Sequence, residues 1–187
     1  LVVHPSVAAK SVKELIALAK AKPGELNYSS GPSGGTGHLA GELFKAMTGV
    51  QLTRIPYKSS ALLLADLTGG HVELVFGNLA MVTPYLKSGK LRALAVCSLD
   101  PSSLFAGLPT VAASGVPGFE SESYYGLMAP ARTPEAVIRR LNQEAVRFLE
   151  SAEAKEKFLS ISLEAVGGPP DARVETGLAF REVCRGA

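Results

Sequence analysis

Leu26-Asn27-Tyr28-Ser29-Ser30-Gly31-Pro32-Ser33-Gly34-Gly35-Thr36-Gly37-His38 is the stretch on which the fold turns. Its first four residues read as a short strand, and its last three open a helix over 36–48 that Gly49 ends. Outward from it the unit recurs. Upstream, Ser11-Val12-Lys13-Glu14 is a capping box followed by Leu15, Ile16, Leu18 and Ala19 at helical spacing, and Pro23-Gly24 stops that helix. Downstream come a strand over 52–55, a helix over 60–68 closed by Gly69-Gly70, and a strand over 72–76. A helix over 80–88 closed by Gly89 and a strand over 91–96 follow. Short apolar strands alternating with helices of this length predict an α/β fold, a parallel-rich sheet with helices on both faces.

Beyond Val96 the pattern lapses. Pro101, Gly107, Pro109, Gly115, Pro117 and Gly118 predict a connecting segment on the surface and a boundary near residue 120. A strand over 124–129 is then expected, followed by a helix from Thr133-Pro134 to about residue 150 and a second helix capped by Ser151. A strand over 163–166 and a last helix from Asp171 complete the prediction.

Composition removes several function classes. The 187 residues are 47% apolar and 19% charged, an ordinary globular balance that excludes collagen-like, mucin-like and coiled-coil chains. The net charge of +2 is not concentrated in either half, so bulk charge gives no support for nucleic-acid or membrane-surface binding. The apolar runs are too short to span a bilayer. Cys97 and Cys184 have no CxxC or Cys/His spacing and are expected as two independent thiols, with one long-range disulfide as the alternative.

Ser29 to His38 is the stretch with chemical potential. It joins a strand end to a helix start, where α/β sheets bind ligands. Its glycines admit a ligand close to the backbone, its serines and Thr36 supply hydroxyl donors, and the helix aims unpaired N–H groups into the loop. Such a loop suits an anion. With no Lys or Arg in the loop, the expected anion is a carboxylate held by dipoles rather than a polyphosphate held by charge. His38, in the first helical turn, either donates one hydrogen bond to the ligand or packs on the sheet. Tyr57, Ser60 and Asn78 follow the next two strands and are expected at the same edge. His4 and His71 read as surface residues. A Walker loop fails because His38 stands where Lys is needed, but Gly35-Thr36-Gly37-His38-Leu39-Ala40 matches GxGxxA. An NADP-dependent oxidoreductase with Arg54 on the cofactor's phosphate therefore stays open, as does the effector-binding domain of a transcription regulator. No HExxH is present in the sequence, and the three histidines share no metal-ligand spacing.

The order of short blocks resembles the periplasmic solute receptors of tripartite tricarboxylate transporters, the Bug or TctC family. Leu-Val-Val-His-Pro-Ser at the start, Lys22-Pro23-Gly24, Leu26 to Gly31 and His38-Leu39-Ala40-Gly41-Glu42-Leu43-Phe44 carry the likeness. So do Pro56-Tyr57-Lys58, Gly69-Gly70-His71-Val72, Gly89 to Val96, Leu108-Pro109-Thr110-Val111, Tyr125 to Pro130 and Thr133-Pro134. The resemblance implies a type II periplasmic binding fold whose two lobes close on a small organic carboxylate and deliver it to membrane transporter subunits. It implies no enzyme activity and no cofactor. Dicarboxylates, tricarboxylates, amino acids and aromatic acids all fit it.

The resemblance also implies a domain plan and a site. Residues 4–120 correspond to the second, ligand-binding lobe. Residues 121–187 correspond to the C-terminal part of the first lobe, with 1–3 as the strand crossing between lobes and the N-terminal part of that lobe missing. Self-association of such a piece is expected. Periplasmic localisation follows from the family alone. The loop residues that carry over are Ser29, Ser30, Gly31, Ser33, Gly34 and Thr36. Departures fall at Pro32 or Ser33, where Asn is frequent, at Ser59, where Gly is frequent, and at Gly77, where an Asp is frequent. Cys97 stands where Thr is common and reads as a packing residue.

Overall fold

The computed structural model describes residues 1–102, 105–123, 127, 129–130, 132–161, 163, 165 and 167–169. The chain divides into two compact units, Leu1–Ser123 and Tyr124–Ala187. In the first, the elements run β1 (Val2–Val3), α1 (Val12–Ala21), β2 (Asn27–Ser30), α2 (Thr36–Thr48) and β3 (Thr53–Pro56). They continue with α3 (Ser60–Thr68), β4 (Leu74–Val75), α4 (Leu79–Lys87) and β5 (Arg92–Ala93). The second unit contributes α5 (Glu135–Leu149) and α6 (Ala152–Ser160).

Local chemistry places the helix starts. Ser11 accepts the Glu14 N–H at 3.2 Å, while the Glu14 carboxylate reaches back to the Lys10 N–H at 2.8 Å. Ser59 caps α3, Asn78 caps α4 through the Ala80 N–H, and Ser151 caps α6. Gly49 closes α2 at φ +70°, a left-handed conformation that glycine adopts without cost.

The five strands form one sheet in the order β3-β2-β4-β1-β5. Strand β2 pairs in parallel with β3 and β4, whereas β1 is antiparallel to both β4 and β5. The sheet is therefore mixed and parallel-rich, with β1 the one reversed strand. Side chains alternate across it. Val3 and Leu74 join Tyr28, Leu15 and Phe44 in one core, under α1 and α2. Val2 and Val75 face the other way, joining Leu63, Leu67 and Val82 of α3 and α4. Helices thus cover both faces, as the alternating pattern predicts.

The surface segment expected over 100–119 is corrected in its second half. Thr110, Val111, Val116 and Phe119 are buried, and Phe119 meets Phe44 edge-on with ring centroids 6.0 Å apart. A parallel bridge between Val96 and Thr110 ties this stretch to the sheet edge. Prolines and glycines erase the periodicity there, but the apolar residues between them still bury. Cys97 is a free thiol packed against the same core. The strands expected over 124–129 and 163–166 lie partly outside the described residues; the helix from Asp171 and Cys184 lie wholly outside them.

Candidate functional site

Parallel register sets the site. Ser30 of β2 stands beside Pro56 of β3, and Ser29 stands beside Val75 of β4, so all three strands end at one edge of the sheet. The Tyr57 N–H donates to the Ser30 carbonyl at 2.9 Å, carrying the pairing one residue past β3. Each strand then turns into a helix whose N-terminus faces that edge. Between these turns lies a groove of about 230 Å³ bordered by Ser30, Gly31, Gly37, Tyr57, Lys58, Ser59, Gly77 and Asn78, with Leu63, Phe76 and Met81 among its apolar wall. Gly37 is required by the approach of α2 to β4. A Cβ there would stand 2.7 Å from the Phe76 carbonyl oxygen, closer than such contacts occur.

The groove gathers Ser30, Gly31, Tyr57 and Asn78 from the residues expected on sequence, together with Ser60. Ser29, Ser33, Gly34, Thr36 and His38 do not border it. Ser29 is fully buried, and its hydroxyl donates to the Leu74 carbonyl at 3.2 Å. The Gly34 N–H donates to His38 Nδ1 at 3.0 Å, which consumes that donor inside the loop and fixes the His38 proton on Nε2. Gly34 itself sits at φ +81°. Thr36 is exposed at the first position of α2, whose N-cap Gly35 supplies no side-chain hydrogen bond. The first-turn N–H groups of α2 thus have no side-chain cap.

A cation that the loop itself lacks is brought to it by Arg54 of β3, and Lys58 follows in the turn after that strand. Arg54 donates from Nε to Ser30 Oγ at 2.7 Å, from Nη1 to Ser33 Oγ at 3.1 Å and from Nη2 to the Gly31 carbonyl at 3.0 Å. Lys58 is exposed on the groove wall. The expectation of a carboxylate held by dipoles rests on the loop alone, and the structure adds Arg54 beside it: neighbouring strands in parallel register share an edge, and a long side chain on one reaches the loop after the other. Composition within the loop carries no signal of this; only the β2–β3 pairing does.

Polar anchors stand behind the groove. Tyr57 donates to Asp66 at 2.7 Å, and burial, reinforced by that carboxylate, pushes its phenol up to about 12. The fully buried Tyr28 donates to Glu42 at 2.6 Å, and burial followed by that bond pushes its phenol higher still. Burial works to raise the Glu42 carboxyl, but hydrogen bonds from Tyr28 and Lys45 outweigh it and hold the group below its ordinary range. Among the described residues no cluster of His, Cys, Asp or Glu has the arrangement of a metal site.

A groove at the shared ends of parallel strands is where sheets of this class bind small ligands. Residues 1–168 match the sequence profile described as the tripartite tricarboxylate transporter family receptor, and the chain belongs to that family. It is 37% identical over 171 residues to protein BugT of Bordetella pertussis, covering 91% of this chain and 52% of BugT. It is 35% identical over 136 residues to a Pseudomonas knackmussii protein encoded between clcB and clcD, covering 72% of this chain and 80% of that one. Among solved structures, the R. palustris protein Rpa4515 with adipate superposes with a TM-score of 0.80 at 41% identity, covering 90% of this chain and 56% of that one. Periplasmic binding protein BugD superposes with a TM-score of 0.71 at 29% identity over 86% of this chain and 54% of BugD. The chain spans about half the length of BugT, Rpa4515 and BugD.

Proposed function

We propose that this chain takes part in an extracytoplasmic, periplasmic receptor that binds a small organic carboxylate for uptake by a tripartite tricarboxylate-type transporter. The observation that carries the reading is the groove of about 230 Å³ at the ends of β2, β3 and β4, bordered by polar residues, the first turn of α2 and Lys58, with Arg54 hydrogen-bonded to the Ser30–Ser33 loop beside it. That volume lies below the ~300–1,000 Å³ of sites for drug-sized ligands, which favours a short acid over a dinucleotide. Adipate in the 41% identical Rpa4515 points to the C4 to C6 dicarboxylates. In this reading residues 4–120 form the ligand-binding lobe and 121–187 belong to the other, while residues 1–3, expected as a crossing strand, supply β1 to the sheet of the first unit. Transporter subunits are the macromolecular partner.

The oxidoreductase alternative loses its main support. Arg54, the residue available for a cofactor phosphate, spends three donors on the Ser30–Ser33 loop. Family members are receptors rather than enzymes, so the reading requires no cofactor. A thermal-shift screen of C4 to C6 mono- and dicarboxylic acids against NADP tests it, since a ligand that binds only the native state raises stability with concentration. A concentration-dependent rise with an acid is expected. A rise with NADP and none with any acid would overturn the receptor reading.

A further inference from the structure

We infer that Arg54 is the positioning residue of the anion site, setting both the shape of the Ser30–Ser33 loop and the direction in which the Ser30 hydroxyl donates. A guanidinium carries donors only, so every group facing it must accept. Ser30 Oγ takes the Arg54 Nε–H at 2.7 Å, which turns its own proton away from the arginine. Within the loop the acceptor left for that proton is the Gly31 carbonyl at 3.3 Å, long for an O–H···O bond and already engaged by Arg54 Nη2. Ser30 is itself almost fully buried, so its hydroxyl is held inside the loop and fixes the backbone that borders the groove. Ser33 Oγ is held from the same side by Nη1 at 3.1 Å. Three bonds from one planar fork to three successive parts of the loop fix its backbone, a geometry the single ammonium of a lysine does not reproduce.

The charge adds to the geometry. Among the described residues no carboxylate forms a salt bridge with Arg54, which donates to two hydroxyls and a carbonyl. Its positive charge therefore stands beside the loop, against Ser30 and Gly31 that border the groove. Arg54 thus selects a charged carboxylate over a neutral group of the same shape.

This inference rests on the carboxylate reading, and the experiment separates the two. Calorimetry compares adipate with its neutral diamide on the unaltered protein, Arg54→Met, Arg54→Lys, Ser30→Ala and the Ser30→Ala/Arg54→Met pair. Arg54→Met is expected to weaken adipate about 10- to 100-fold and the diamide far less, the range for a lost hydrogen bond to a charged group. The double variant should lose less than the product of the single losses, because the two residues act as a unit. Arg54→Lys should keep part of the preference for adipate without recovering its affinity. Equal losses for adipate and diamide, multiplicative losses in the pair, or full affinity in Arg54→Lys would each overturn the inference. If the unaltered protein binds no acid, the receptor reading fails, and amide hydrogen exchange over residues 31–37 still decides on Arg54. Exchange about tenfold faster or more in Arg54→Met and not restored in Arg54→Lys supports it; unchanged exchange in both overturns it.

Discussion

At the scale of single residues, two tyrosines tie the site to the pH-dependence of stability. Tyr28 lies between the sheet and α2, edge-on to Phe76 with centroids 6.3 Å apart, and gives its proton to Glu42. Tyr57 gives its proton to Asp66 from the groove side. Both phenols ionise later in the folded chain than the ~10 of an unfolded one. Their contribution is therefore fully present below pH ~10 and is lost as pH rises through about 12 for Tyr57 and higher still for Tyr28. Tyrosinate absorbance is expected to show Tyr28 and Tyr57 ionising late, together with unfolding, and Tyr28→Phe and Tyr57→Phe each to remove part of that late step. If neither substitution changes it, these two hydrogen bonds are not formed in solution. Tyr28→Phe should cost about 1–3 kcal/mol in urea unfolding at neutral pH, because it removes a buried bond to a charged acceptor. Glu42 has the opposite sign. Its depressed carboxyl stabilises above the ordinary glutamate value and ceases to do so as pH falls through its folded value. Glu42→Gln should therefore flatten the acid side of the stability profile, and an unchanged acid limb would remove Glu42 from the account.

At the scale of elements, the start of α2 and the end of β4 behave as one part. The missing Cβ of Gly37 lets the helix close on the Phe76 carbonyl, whereas a Cβ on Gly31 would meet nothing within 4 Å. Gly37→Ala is expected to destabilise by about 1–3 kcal/mol and to weaken carboxylate binding, since the helix must move off the strand. Gly31→Ala should change stability far less. Equal effects of the two substitutions, measured by urea unfolding, would show that close packing is not what Gly37 provides. The limits of α2 were legible in the sequence because helix starts and stops are written in neighbouring residues, Thr36 at one end and Gly49 at the other. Ser30, Gly31, Tyr57 and Asn78 were legible as strand-end residues. What was not legible depends on pairing between distant segments. Adjacent Ser29 and Ser30 look alike in the sequence, yet one hydroxyl serves the Leu74 carbonyl and the other accepts from Arg54. Arg54 reaches the loop only through the β2–β3 register, and β1 takes its reversed direction from partners more than seventy residues away. Burial of Val111 and Phe119 was hidden by the prolines and glycines around them.

At the scale of the whole molecule, the decisive feature is the outer surface of the second unit. Glu135–Arg139 and Arg140–Glu144 pair within α5, so its charged side is satisfied by the helix itself. Its other side is not. No residue of α5 is buried, and Val137, Leu141 and Phe148 are 46%, 54% and 52% exposed at positions four and seven apart. In α6 and just after it, Leu159 and Ile161 are also open to solvent. Fully burying a side chain of this size is worth about 1.5–3 kcal/mol; these are about half exposed, so each offers roughly half of that toward the entropy of joining two chains. The 187-residue chain on its own is expected to self-associate through this face. Sedimentation across a concentration series should show mass rising with concentration, and Leu141→Glu with Phe148→Glu should return a monomer. Those substitutions lie outside Leu1–Ser123, so the Arg54-held loop should keep its hydrogen-exchange protection in the same variant. A chain that stays monomeric at its highest soluble concentration, or a double variant that still associates, would show that the α5 face does not drive assembly.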